Sequence, residues 1–527
     1  MQADFGSVTA SLVRRHALRI VAGLLIAAPA AQATDWPSFG ADANNTANNP
    51  QTTISVGNVA GLHQKWTYTT GGDVSARAAL AGGVLYFPDW GGNISAVNAE
   101  TGAGVWSHQL SDYGLPPSTH SRTTPAVAGG IVYVGTQEGA WLLAIRASNG
   151  SLVWKSQLET QDPFAMITSS PVVSGNMIFT GIASNQEAMA AFLPGFVCCT
   201  ARGSAIAVNT NNGSIRWKTY MVPEGYSGGS VWGSSPVVVE DQRTVYVSTG
   251  NNYSHPVDAA YLNCRAAGGT ENACLSPDDH VDSIVALNMS NGRVQWAQRK
   301  VDWNDPFANN GSDDWNVACF IPPFTNCPSN SGPDYDFGSG VNRIIYTDSR
   351  GKKHTILGAG QKSGIYYAFD PATGAELWRT LVGPGSSLGG IEWGSATDGK
   401  RIYVALVNYY GIPYAYGYGG SIAALDPATG AILWQVADPG QSINLGPVSV
   451  SNGVVFASSM SGDPSATTMF ALDAGTGNFL WGFAPGVSVN AGATIADGNV
   501  YWGSGYNHLG IAGFTGGNNT FYGFSIH

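Results

Sequence analysis

Six cysteines stand at Cys198, Cys199, Cys264, Cys274, Cys319 and Cys327. None falls in a C-x-x-C-H run or a C-x-x-C pair, which excludes covalent c-type haem and argues against structural zinc. An even number of thiols in an exported chain points to disulfides. Several pairings are open, and nearness along the chain favours Cys198–Cys199, Cys264–Cys274 and Cys319–Cys327. Gly225-Tyr226-Ser227-Gly228-Gly229 spells G-x-S-x-G. A nucleophile elbow needs a strand before that motif and a helix after it, and neither pattern is there. The nine histidines form no H-E-x-x-H, and there is no P-loop. Two residues draw attention by context. Lys362 lies between the apolar runs HTILGAG and IYYAFD in a chain with only 24 Lys and Arg, whereas a lone lysine is normally a solvated surface residue. Trp232 follows a Gly-rich loop and stands outside the position that tryptophan takes in the repeat.

That repeat supplies the elements that must hold such residues. Seven segments share an apolar strand, Asp or Asn, three residues, Gly, three residues and Trp; they end at Trp106, Trp154, Trp217, Trp296, Trp378, Trp434 and Trp481. Each reads as a β-hairpin whose Asp or Asn and Gly make the turn. The tryptophan then offers a large apolar surface to a neighbouring sheet. Most units follow another hairpin, such as TPAVAGGIVYVG, and two hairpins make one four-stranded blade. The C-terminal strands NVYWGSGY and TFYGFSIH lack a closing G-x-x-x-W strand, and LHQKWTYTT, with Trp66, supplies it. The expected fold is all-β: an eight-bladed β-propeller of four-stranded antiparallel blades, its ring closed by strands from both termini. Spacing between successive repeat tryptophans runs from 47 to 82 residues. The extra length falls in loops, chiefly 252–283 and 303–340, where functional residues concentrate.

Composition agrees. Of 527 residues, 69 are Gly, 44% are hydrophobic and 11% are charged. That excludes a disordered chain, which needs low hydrophobicity and high net charge, and a helical bundle, which avoids Gly. A formal charge of −11 argues against nucleic acid as a partner. Residues 1–33 carry Arg14, Arg15 and Arg19, the apolar stretch Ile20 to Ala31, and Ala31-Gln32-Ala33. They read as a secretory signal peptide cut before Thr34, leaving 34–527 as a single propeller domain in the periplasm. The Arg14-Arg15 pair raises the alternative of a twin-arginine signal. The apolar run is short for a membrane anchor, and no later stretch is apolar enough to span a bilayer.

The unit Ala-x-Asp-x-x-Thr-Gly-x-x-x-Trp resembles the blade motif of quinoprotein alcohol dehydrogenases, which bind pyrroloquinoline quinone (PQQ). The opening Asp35-Trp36-Pro37-Ser38-Phe39-Gly40 is similar to that family's start. Stretches 198–220, 225–238, 248–254, 277–287, 313–319, 360–364 and 389–399 resemble its polyvinyl alcohol dehydrogenase branch. The resemblance implies a PQQ- and calcium-dependent enzyme that oxidises alcohol groups, secondary or polymeric ones first, by hydride transfer to the quinone. It implies Trp232 as the floor under the cofactor, Lys362 as the cation on a quinone oxygen, and Thr168 as a carboxylate partner. Glu187 and Asn251 match its metal ligands, with Gln186 an alternative one residue away. Trp393 and Glu392 match a loop that lines the pocket. The family's base follows a tryptophan; here Asn316 follows Trp315, and an amide cannot accept a proton, so Asp313 and Asp314 are the candidate bases. Cys198 and Cys199, beside Arg202, are candidates for a lid over the cofactor. Where the methanol-oxidising branch carries its own adjacent pair, this chain has Arg122-Thr123-Thr124-Pro125. With no haem motif, the implied electron acceptor is a separate cytochrome c. The competing expectation is a non-catalytic propeller acting as a binding or assembly scaffold in the cell envelope.

Overall fold

A computed structural model describes residues 35–301, 313–329, 331–508 and 514–527. The expected leader lies outside them. Eight four-stranded antiparallel blades form the fold. Seven are each built from one stretch of chain, the first from Ala79–Ala81, Val84–Pro88, Asn93–Asn98 and Gly104–Gln109; in one, Ala165–Met166 adds a short fifth strand, and in another Asn252–Ser254 leaves the blade to pair with Ser227–Gly228. The eighth takes Thr494–Ala496, Asn499–Gly503 and Thr520–Ser525 from the C-terminal end and His63–Thr69 from the N-terminal end. In that closing pair Trp66 faces Gly523 and Tyr68 faces Phe521, so LHQKWTYTT supplies the missing strand as expected.

The repeat motif explains how blades join. Each blade's tryptophan donates its indole N–H to a carbonyl in the turn of the next blade: Trp66 to Ala99 at 3.0 Å, Trp106 to Ala147 at 2.8 Å, Trp378 to Pro427 at 3.1 Å. Trp481 completes the circle by donating to Leu62 at 2.8 Å. The turn glycine receives that indole. Gly102, Gly213, Gly292, Gly374, Gly430 and Gly477 have φ of +71 to +76°, and a Cβ on any of them would press within 2.4–2.7 Å of the preceding blade's tryptophan. The motif glycine therefore serves twice, as a left-handed turn residue and as the bed of an indole. The second and third strands of each blade are buried through most of their length, for example Ile402–Leu406 and Ser421–Leu425, which are buried throughout.

All three cysteine pairs favoured by nearness are disulfides. Cys264–Cys274 ties the short helices Ala259–Ala266 and Glu271–Cys274, and Cys319–Cys327 ties the loop after the 3₁₀ turn Val317–Cys319. Ser227–Gly228 pairs with Asn252–Ser254 and leads into no helix, so G-x-S-x-G is a sheet-edge segment. Among the described residues no helix is long and apolar enough to cross a membrane.

Candidate active site

Loops from one end of the ring enclose a cavity of about 540 Å³, within the usual range for ligand pockets. Glu187, Asn251 and Lys362 reach it from equivalent places. Each follows the second strand of its blade, after Met177–Ser184, Thr244–Ser248 and Lys353–Gly360 respectively. Thr168, Trp232, Asp334, Asp336 and Trp393 reach it from the segments that lead into a blade's first strand. Blade geometry thus delivers two sets of side chains to one hub.

Trp232 lies at the centre of the contacts. Its indole N–H donates to Asp336 Oδ2 at 2.8 Å, and Lys362 Nζ sits 5.1 Å from the ring centroid. Trp393 stands edge-on to it, centroids 5.2 Å apart. Thr168 Oγ1 donates to the Trp232 carbonyl at 3.1 Å. Gly250 and Gly338 allow the approach: a Cβ on Gly250 would lie 2.9 Å from both Trp232 Nε1 and Asp336 Oδ2, and one on Gly338 would lie 2.8 Å from the indole. Arg122 covers the far side, its guanidinium 3.9 Å from the Trp393 centroid and donating to Tyr506 Oη at 3.3 Å.

Lys362 Nζ donates to Asp334 Oδ2 at 3.0 Å and Asp336 Oδ2 at 3.3 Å. Burial alone would drive its ammonium down. The carboxylates of Asp334, Asp336, Glu392 and Glu187 more than offset that and hold it well above the ordinary lysine range. Burial pushes Asp334 well above the usual carboxylate range against the pull of Lys362, and Asp336 and Glu187 add to the rise. Asp334 Oδ1 is buried without a hydrogen-bond partner. Burial also raises Glu187 to about 7 and Glu392 to about 7, with Lys362 opposing in both.

The metal-ligand expectation separates cleanly at residues 186 and 187. Gln186 turns away: its amide donates to Asp162 at 3.0 Å and accepts from the N–H groups of Thr200 and Ala201 at 2.8 and 3.1 Å. Glu187, in the first turn of the helix Gln186–Phe192, lines the cavity. Asn251 spends both side-chain N–H groups on the carbonyls of Asn252 and Trp315, at 2.8 and 3.0 Å, which leaves Oδ1 as an acceptor. Its backbone N–H donates to Asp336 Oδ1 at 2.7 Å.

The base expected at Asp313 or Asp314 is placed differently. Neither lines the cavity. Asp313 accepts from the backbone N–H groups of Asp334 and Tyr335, at 2.8 and 2.9 Å, so both its oxygens brace the loop that presents Asp334. Asp314 Oδ2 is held by His255 Nδ1 at 2.7 Å. Asn316 caps the turn Val317–Cys319 and bonds Asn326, a structural role. Asp334, in Pro333-Asp334-Tyr335-Asp336, does reach the cavity, as do Asp336, Glu187 and Glu392. Its sequence signal is two acids two residues apart after the uncharged stretch 315–333. Beneath it, Asp282, Asp313 and Asp336 bring carboxylate oxygens within 4.8 Å of one another. Cys198, Cys199 and Arg202 are not among the cavity-lining residues either. Arg202 donates to the Val222 carbonyl and lies over Tyr220. Arg122, which sequence reading left without a role, is in the wall.

With this geometry in view, comparison with known proteins is informative. A PQQ family model described as outer membrane protein assembly factor BamB matches residues 58–195 and 361–511, more than half of the chain. The chain belongs to this PQQ propeller family. Its likeness to quinoprotein alcohol dehydrogenases is equally plain. A polyvinylalcohol dehydrogenase of Pseudomonas sp. is 29% identical over 515 residues, covering 89% of this chain and 73% of that protein. One from Sphingopyxis sp. is 27% identical, covering 90% and 73%. The crystal structure of quinohemoprotein alcohol dehydrogenase from Comamonas testosteroni superposes with a TM-score of 0.67 at 19% identity, over 94% of this chain and 80% of that one; this likeness bears on the fold.

Proposed function

We propose that this protein is a PQQ- and calcium-dependent dehydrogenase of secondary alcohols, including polymeric ones. The observation that carries the reading is the meeting of Glu187, Asn251, Trp232, Lys362 and Asp334 in one cavity. The donor set fits both groups. A flat anionic tricycle needs a flat face and cations, which Trp232, Lys362 and Arg122 offer. Calcium needs hard oxygens including carboxylate, which Glu187 and Asn251 Oδ1 offer. When bound, PQQ supplies the two-electron acceptor and calcium the Lewis acid that polarises it.

The chain's own residues do the rest. Asp334 Oδ1 accepts the hydroxyl proton of the alcohol as general base. Lys362 pairs with Asp334 Oδ2 and fixes the rotamer that leaves Oδ1 without a protein partner. Asp313 holds the backbone of that loop from behind. Trp232 would offer its face to the cofactor ring, and its N–H bond to Asp336 locks the indole plane. Asp336 adds a further carboxylate to the same wall, its oxygens bonded to the Asn251 N–H, the Trp232 indole and Lys362. The protein is exported to the periplasm through the leader at 1–33, works as one propeller of residues 34–527, and passes electrons to a separate cytochrome c.

The test is a titration of metal-free protein with PQQ and calcium, followed by tryptophan fluorescence and dye-linked oxidation of a secondary alcohol. Cofactor binding with activity, lost in Trp232→Ala, is the expected result. If PQQ does not bind with either calcium or a lanthanide, the reading fails and the scaffold role implied by the description of the matching family model takes its place.

A further inference from the structure

Exposed large apolar side chains occur at several places on the surface, and three segments that touch the cavity wall carry a group of them. Phe192, Leu193 and Val197 follow the helix that carries Glu187 and are exposed, Val197 at 83%. Phe320 and Phe324, in the disulfide-closed loop after Val317, are exposed as well. So are Tyr410 and Tyr418, the latter at 66%, in the loop between Ile402–Leu406 and Ser421–Leu425. Three separate segments thus contribute large apolar side chains to solvent.

Contacts join them into one strip beside the cavity mouth. Asn326 donates to the carbonyls of Ala190 and Phe196, at 2.8 and 3.0 Å, tying the first segment to the second. Phe320 meets Tyr409 with ring centroids 6.4 Å apart, tying the second to the third. Each segment also touches the cavity wall. Glu187 and Val317 line it, and Ser387, which lines it too, hydrogen-bonds Tyr410 Oη at 2.8 Å. The strip carries no charge: residues 188–201, 315–333 and 407–425 contain no Asp, Glu, Lys or Arg, in a chain of formal charge −11.

A contiguous exposed apolar patch on an exported protein marks a binding surface. Its chemistry selects the occupant. An anionic membrane surface is met by Lys and Arg around an apolar face, and these segments have none. A steered protein partner is met by complementary charge, which is equally missing. Aromatic faces with hydroxyl tips, uncharged and laid out away from the cavity itself, suit a long neutral chain of alternating CH₂ and CHOH groups. Such a chain would lay its methylenes on Phe320, Phe324 and the tyrosine rings and its hydroxyls on tyrosine Oη atoms.

We infer that this strip is a binding track for an uncharged polyhydroxylated polymer, feeding one of its secondary alcohols into the cavity. The inference rests on the dehydrogenase reading for its purpose, not for its first measurement. That measurement is the mobility of the intact, cofactor-free protein in native gels containing polyvinyl alcohol. The wild type should be retarded, and Phe324→Ser/Tyr418→Ser, which alters two exposed side chains outside the cavity, should run free. With cofactor bound, the double variant should lose roughly tenfold in kcat/KM on the polymer, the scale expected when aromatic anchors are removed, and keep its kcat/KM on pentane-2,4-diol. No retardation of the wild type, or equal retardation of the variant, overturns the track. So does a parallel loss on polymer and small diol, or binding of the wild type to neutral phosphatidylcholine vesicles in place of the polymer. Retardation lost in the variant, with no alcohol oxidised by either protein, keeps the track and removes the dehydrogenase.

Discussion

At the outer rim of the propeller, each repeat tryptophan donates to a neighbour's carbonyl, and all but Trp481 rest on a turn glycine. At the hub, the matching loop ends carry Glu187, Asn251 and Lys362, and the opposing segments carry Asp334 and Asp336. The rim repeats one neutral, fully bonded solution eight times. The hub breaks the repeat with buried charges, among them an Asp334 oxygen with no protein partner. Buried charge costs folding energy unless it is paired. Its concentration in one cavity identifies where stability has been exchanged for chemistry.

The sharpest way to break this contrast is at Asp334. Asp334→Asn keeps the shape and removes the proton acceptor, so turnover should fall by about 10³-fold, within the range for a lost general base. Asp314→Asn should leave turnover within a few-fold, because that carboxylate serves His255. Steady-state rates with saturating PQQ and metal check both, and equal losses would return the base to the 313–314 pair.

The rim should respond in the opposite currency. Trp378→Ala removes an indole that sits on Gly430 and bonds Pro427. A loss of about 3–5 kcal/mol in stability is expected for a large aromatic truncated to Ala, with turnover of the folded fraction unchanged. Thermal melting and active-site-normalised rates separate the two effects.

A smaller effect sharpens the electrostatic half of the comparison. Glu392 is raised to about 7 in the folded protein, chiefly by burial, against 4.5 for a free side chain. Between those values the unfolded chain ionises first, so the metal-free protein loses stability as pH rises through that window. The contribution is full below about 4.5 and gone above about 7. Glu392→Gln should flatten the fall in melting temperature between pH 5 and pH 8, by up to about 3 kcal/mol for such a shift. Calorimetry without metal decides it; an unchanged slope assigns the pH dependence elsewhere.

The rim was legible because its signal is local and repeated. Asp or Asn, Gly and Trp at fixed offsets announce turn, bed and indole together, and Trp66 could be matched to the C-terminal strands by the one missing strand. Trp232, Lys362, Glu187 and Asn251 were reachable as departures from that repeat. The place of Asp334 in the cavity was not. Asp313 and Asp334 are 21 residues apart, and only the folded loop shows that one braces the other's backbone. A motif centred on Trp315 pointed to Asp313 and held no sign of its bonds to the Asp334 loop. For the adjacent cysteines, chain neighbourhood to Arg202 says nothing of which way a loop faces, and none of the three lines the cavity.

Closure by His63–Thr69 against Thr520–Ser525 has a temporal corollary. The chain is read out from the first strand to the last, so the earliest-made piece of the eighth blade waits for the latest. Until Thr520–Ser525 arrives, the ring is an open horseshoe with raw sheet edges on both arms. Clipping a few residues from the far end should therefore silence a pocket whose lining residues are all still present.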